Sequence, residues 1–227
     1  MTHDFSKNIA RSATQLIIGG FRPTESKLES WFGKVLMQGK EESWPYENGL
    51  DLYPLCQINL TNLPYKPEIL SDIEFITLFI SDRDLPADAP NGTGWLLRAY
   101  SKMDDLIPII NPPENPFLKA FQMRSELIEK DFPCHDDYPV EMPKEIEETY
   151  FKLFPNAGGF KIGGWPTHIQ GALHWDNNPN NTITFAFQID SIATDKSNFR
   201  IWDSGIAYFA RKKNGESDEW YMEVQTM

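Results

Sequence analysis

Cysteine is scarce in this chain: Cys56 and Cys134 are the only two among 227 residues. A small disulfide scaffold carries more, so a fold here must rest on its core. Long apolar runs are also missing, and no stretch approaches the roughly 18 apolar residues of a membrane-spanning helix. Positive charge is short. The chain has 21 Lys and Arg against 33 Asp and Glu, a net charge of −12. Such a surface repels phosphate backbones and anionic lipid headgroups. That argues against nucleic acid and membrane as partners and leaves a basic protein partner compatible. Phosphate loops are lacking, since neither G-x-x-x-x-G-K-[ST] nor G-x-G-x-x-G occurs. Met1 to Ala10 is polar and mixed in charge, with no leader pattern, so the expected location is the cytoplasm.

What is present points to a globular chain of short elements. Seven Trp, eight Tyr and fifteen Phe exclude global disorder, and 17 Pro with 14 Gly indicate many turns. Cys56 lies in an apolar run and reads as a buried thiol; Cys134 follows a proline in a polar stretch. Asp4 to Ile18 has helical spacing, with Phe5, Ile9, Ala13 and Leu16 three and four apart. Leu52–Leu60, Ile73–Ile80, Trp95–Tyr100, Thr182–Ile189, Gly205–Arg211 and Trp220–Val224 read as strands, and Asn214-Gly215 as a hairpin turn. Phe117–Lys130 and Lys144–Phe154 read as helices, the second opened by Pro143 and acidic in its first turns.

The two ends of the chain resemble each other. Gly19-Gly20-Phe21 matches Gly163-Gly164-Trp165. Leu55-Cys56-Gln57-Ile58-Asn59 matches Ala186-Phe187-Gln188-Ile189-Asp190. Leu78-Phe79-Ile80 matches Tyr208-Phe209-Ala210. Matched order and near-matched spacing argue for duplication. The expectation is one domain of α+β class with two similar sheet-containing halves. They cover about 16–100 and 158–227 and are joined by a helical segment, 117–154.

These residues resemble the YwqG-like family of bacterial domains of unknown function. The carriers are Leu55–Leu60, Gly163-Gly164-Trp165-Pro166 with Ile169-Gln170 after it, Phe187-Gln188-Ile189-Asp190, and Trp202-Asp203-Ser204-Gly205 running into Ala207-Tyr208-Phe209. The first half departs from the pattern at Ser71-Asp72-Ile73-Glu74. The resemblance implies an α+β fold with two similar halves, no established catalytic activity, and an immunity-type role toward a cognate toxin.

Candidate chemistry is thin. His168, His174 and Asp176 lack the paired ligands of a zinc site, so no metal or other cofactor is expected. Cys134-His135-Asp136-Asp137 places a thiol beside a histidine, but nucleophile and base usually meet through the fold rather than the chain. Gln57 and Gln188 are the most unusual residues, each an amide among apolar neighbours. Two roles are open to them: to tie their strands to loop backbone, or to line a cleft between the halves. Buried amides mostly bond to backbone, which favours the first. Candidate ligand- or partner-binding residues are Trp165, Gln170, Gln188, Asp190, Trp202, Asp203 and Gln57. Nothing selects a reaction. The functional expectation is a non-enzymatic protein-binding module, with a small-molecule or peptide binder as the alternative.

Overall fold

A computed structural model describes residues 2–24, 26–134, 137, 149–175, 182–214 and 217–227. A short helix, Thr2–Ile9, leads into β1 (Arg11–Ile18). Then come β2 (Trp31–Phe32), β3 (Met37–Gly39), β4 (Tyr46–Glu47), β5 (Leu50–Asp51), β6 (Tyr53–Asn59), β7 (Phe75–Ile80), β8 (Trp95–Tyr100) and β9 (Leu106–Pro108). The chain continues through β10 (Phe121–Asp131), β11 (Lys161–Gly163), β12 (Ile183–Asp190), β13 (Ile206–Asn214) and β14 (Ser217–Gln225).

Ten strands form one antiparallel sheet in the order β14-β13-β12-β11-β1-β10-β2-β6-β7-β8. The sheet curls into a nearly closed barrel, with 39% of the chain in strand and 11% helical. The α+β expectation with a helical connector is therefore corrected to a mostly β fold. Residues 121–131, inside the expected helical segment, are β10, a central strand paired to β1 from Arg11↔Asp131 to Ile18↔Met123. The physical reason is pairing. β10 has β1 on one side and β2 on the other, and ladder bonds to two neighbours outweigh the weak helical preference of a polar segment. The same competition ends the N-terminal helix at Ile9 and makes Arg11–Ile18 a strand. Of the second expected helix, only the turn Tyr150–Leu153 is helical among the described residues, and 144–148 lies outside them.

The two wings of the sheet run in matching order outward from the β1/β10 pair. One is β2, β6, β7, β8 and the other β11, β12, β13, β14. Each leading strand pairs into the wing that follows the other one: β1 with β11, and β10 with β2. Register shifts lie at Leu55 on β6 and at Ala186 on β12, each two residues before a glutamine. Extra residues of this kind sharpen the bend of a strand, and they curve both wings at the same level. By register Gln57 faces Trp31 and Thr77, and Gln188 faces Lys161 and Tyr208. Gly163 thus corresponds to Gly33, not to Gly19, and Tyr208 to Thr77.

One core fills the barrel. Cys56, Ile58, Ile76, Leu78 and Trp95 from one wing meet Phe187, Phe209, Trp220 and Met222 from the other. Phe187 stacks on Phe209 at 4.5 Å, and Trp95 meets Phe209 edge-on at 5.7 Å. The alternate residues point outward beneath covering segments. Val35, Leu52 and Ile109 cover Phe79. Leu173 and Trp175 cover Phe185 and Tyr208. Both faces of the inner strands are therefore buried, which explains why β6 and β7 read as continuous apolar runs.

Candidate functional site

The two glutamines sit on the outward side of their strands, under the cover, and both are fully buried. Gln57 Oε1 accepts the Leu36 amide at 2.6 Å, and its Nε2 donates to the carbonyls of Lys27 at 2.8 Å and Glu29 at 2.6 Å. Gln188 Oε1 accepts the Thr167 amide at 2.9 Å, and its Nε2 donates to Gly159 O at 3.3 Å and Thr167 Oγ1 at 3.0 Å. An amide supplies two donors and an acceptor, and both are used in full to pin a covering segment to the sheet. Two residues on, Asp190 is engaged in the same way. Its Oδ1 caps Ile192 N at 2.8 Å and its Oδ2 accepts Gly159 N at 3.2 Å.

Trp165 is buried at the end of the sheet. Its indole donates to Ile9 O at 2.7 Å, and the Arg11 guanidinium lies 3.3 Å from its ring centroid. Its amide donates to Asp131 Oδ2 at 2.7 Å, the oxygen that also takes Lys161 Nζ at 2.8 Å. Lys161 and Asp131 are both fully buried, and burial pushes the Lys161 amine down. Gly164, at φ +71°, lets the backbone pass over this pair. Gln170 is exposed, and its amide donates to Gln225 Oε1 at 3.1 Å. Asp203 is exposed. Trp202 is 49% exposed at φ +50°. Its amide and indole reach across to Asp84 Oδ2 at 2.7 Å and Leu85 O at 2.9 Å. The seven residues thus serve several separate places; Gln188 and Asp190 alone share a partner, Gly159.

A histidine–carboxylate pair that the chain order hides is formed by His168 and Asp137, 31 residues apart. His168 Nε2 meets Asp137 Oδ2 at 2.6 Å, and the two side chains are 2% and 8% exposed. Cys134 stands nearby, but its sulfur receives the backbone N–H of His168 rather than the ring, and burial pushes its thiol up. A thiol held protonated is a poor nucleophile. Among the described residues, no group of three or more His, Cys, Asp or Glu could hold a metal ion.

A continuous concavity lies along β14. Two adjoining depressions of about 600 and 650 Å³ share Asp88, Tyr221 and Met222. One wall is β14 itself, the end strand of the sheet. The other is the 87–91 segment that precedes β8. Trp175 and Ile183 close one end, and four carboxylates, Asp88, Asp218, Glu219 and Glu223, line the groove with His174, which pairs with Glu223 at 3.1 Å, and with no Lys or Arg among the described lining residues. Behind it, Arg211 ties the wing to the opposite one by a bidentate pair with Asp72 at 2.7 and 2.9 Å, and also holds Asp218. No motif marks this groove in the sequence. Its only sequence signal is the acidic spacing within Asp218-Glu219-Trp220-Tyr221-Met222-Glu223.

None of the helices among the described residues is long and apolar enough to cross a membrane. A search among curated proteins finds no match to the chain. A family model described as "Domain of unknown function (DUF1963)" matches residues 33–215, from the β2 turn to the end of β13 and well over half of the chain. The chain belongs to this DUF1963 family.

Proposed function

We propose that the protein is a non-enzymatic binding module that docks a basic protein partner in the acidic groove along β14. The observation that carries this reading is the groove's lining: four carboxylates, of which Glu223 is engaged by His174 and Asp218 by Arg211, and no Lys or Arg among the described lining residues, around an apolar floor of Trp220, Tyr221 and Met222. An apolar floor with a rim of one charge sign is the usual make-up of a docking patch, and complementary charge speeds encounter and sets specificity. The net charge of −12 acts in the same direction at longer range. Within the YwqG-like resemblance, which is compatible with the DUF1963 match, the partner is a cognate toxin and the module an immunity-type inhibitor. Co-expression with the product of the neighbouring gene tests this. Co-purification and protection from toxicity are expected, both lost on Asp88→Lys with Glu219→Lys. Failure of both in the unaltered protein removes the proposal.

One feature supports a second reading, a small-molecule or peptide binder between the wings. A cleft of about 640 Å³ separates Arg83 and Phe117 from Asp195 and Arg200, beside the Trp202 turn. A thermal-shift screen of metabolites is the check, since a ligand that binds only the folded state raises its apparent stability. Hits that vanish in Arg83→Ala and Arg200→Ala support it; no hit counts against it.

A further inference from the structure

The barrel has two strand edges, and they are finished differently. At β8 the edge is closed by its own preceding loop. Asn91 Oδ1 accepts Leu97 N at 2.8 Å, its Nδ2 donates to Leu97 O at 3.0 Å, and Gly92 N donates to Trp95 O at 2.8 Å. A single side chain there copies the two bonds that a neighbouring strand would make. This is how a sheet edge is protected against unwanted pairing. At β14 nothing comparable is built by the described residues. Among the described residues, the ladder partner of Trp220–Val224 is β13 alone. Every second residue of that stretch turns its N–H and C=O toward the groove.

We infer that the β14 groove receives an extended basic segment of the partner as an added strand, paired to Trp220–Val224. This rests on the docking reading given above and specifies its mode. Backbone bonds to an open edge supply affinity in such complexes, and alternate side chains supply specificity. The alternation on β14 fixes what those side chains must be. Trp220, Met222 and Val224 face the core side, whereas Tyr221 and Glu223 face outward. An added strand alternates in step. Its residues on the core side meet Trp220 and Met222 and must be apolar. Those on the other side meet the rim carboxylates Asp88 and Glu219, Glu223 being already engaged by His174, and must be basic. The segment is therefore an alternating Lys/Arg–apolar stretch, about five to six residues long at ~3.3 Å each to match this part of the edge.

The test uses the full chain and three synthetic ten-residue probes, read by calorimetry or fluorescence anisotropy. The first is five Lys-Val repeats. The second and third carry backbone N-methyl groups on every Lys or on every Val. In a paired strand, residues of one parity send their N–H groups to the neighbour. One methylated probe should therefore lose at least tenfold in affinity while the other stays within about threefold of the parent. Asp88→Lys with Glu219→Lys should weaken the parent probe and steepen none of its dependence on salt. Equal affinity of all three probes, or equal loss in both methylated ones, overturns strand addition and leaves the docking reading standing. No binding of the parent probe overturns both.

Discussion

Replacing Gln57 with Leu separates the two roles open to the buried amides. The change keeps the volume close and removes every polar atom of the side chain. The Leu36 amide then loses its acceptor at 2.6 Å, and the Lys27 and Glu29 carbonyls lose a shared donor. An N–H left without a partner in a buried place costs about 1–3 kcal/mol, and each lost bond to a carbonyl about 0.5–1.5 kcal/mol. The carbonyls lie nearer solvent and recover part of this through water, and the leucine returns about 1 kcal/mol of apolar transfer. A net loss of about 2–4 kcal/mol follows. For a chain of this size that lowers the thermal midpoint by about 2–4 °C per kcal/mol, or roughly 4–16 °C. Gln57→Glu should be worse at neutral pH, because it turns a second acceptor toward two carbonyl oxygens. Urea unfolding gives the free energy, and the Lys-Val probe gives binding in the folded protein. Binding should be unchanged, because Gln57 lies on β6 and not on the β14 groove. A variant within 0.5 kcal/mol of the parent would sink the pinning role. Full stability with lost binding would return Gln57 to a ligand site.

Three further outcomes are expected. Arg211 holds the Asp72 carboxyl well below its usual range of about 3.8. A depressed carboxylate contributes stability above its unfolded value and loses it as pH falls toward the folded one. Asp72→Asn should thus be less stable than the parent at pH 7 by at most about 1 kcal/mol, since the carboxylate is half exposed, and the gap should close below about pH 3.8; a gap constant with pH in urea titrations would refute the latch. Gly164→Ala would place a Cβ 2.3 Å from Asp131 Oδ2 at a φ of +71°. It should push the carboxylate off buried Lys161 and cost about 3–5 kcal/mol by chemical denaturation. Burial pushes the Cys56 thiol far above its usual range. It should stay unlabelled by a thiol reagent at pH 8 until the protein unfolds, and rapid labelling in the native state would contradict the core position.

Much of the β structure was legible because its chemistry is local. β6, β7, β8 and β12 carry apolar or alternating residues bounded by turn formers, and the structure puts strands there. The glutamines stood out because an amide among apolar neighbours demands partners. β10 was not legible. Phe121–Asp131 has polar residues at helical spacing, and in the sheet it remains partly exposed between β1 and β2, with Arg124, Glu126, Leu127, Glu129 and Lys130 open to solvent. Its strand state comes from neighbours 89 to 120 residues distant in sequence, which no window along the chain contains.

By itself the sequence determined that the chain has a core, that its strands repeat around Gln57 and Gln188, and that it carries a net charge of −12. These follow from composition and period, which each residue carries with it. The tertiary structure alone decided which face of each strand the glutamines occupy, because a covering segment had to fold over them. It alone joined His168 to Asp137. It also decided that Asn91 closes the β8 edge while β14, the other end strand, pairs with β13 alone among the described residues, since both strands read alike until their neighbours in space are known.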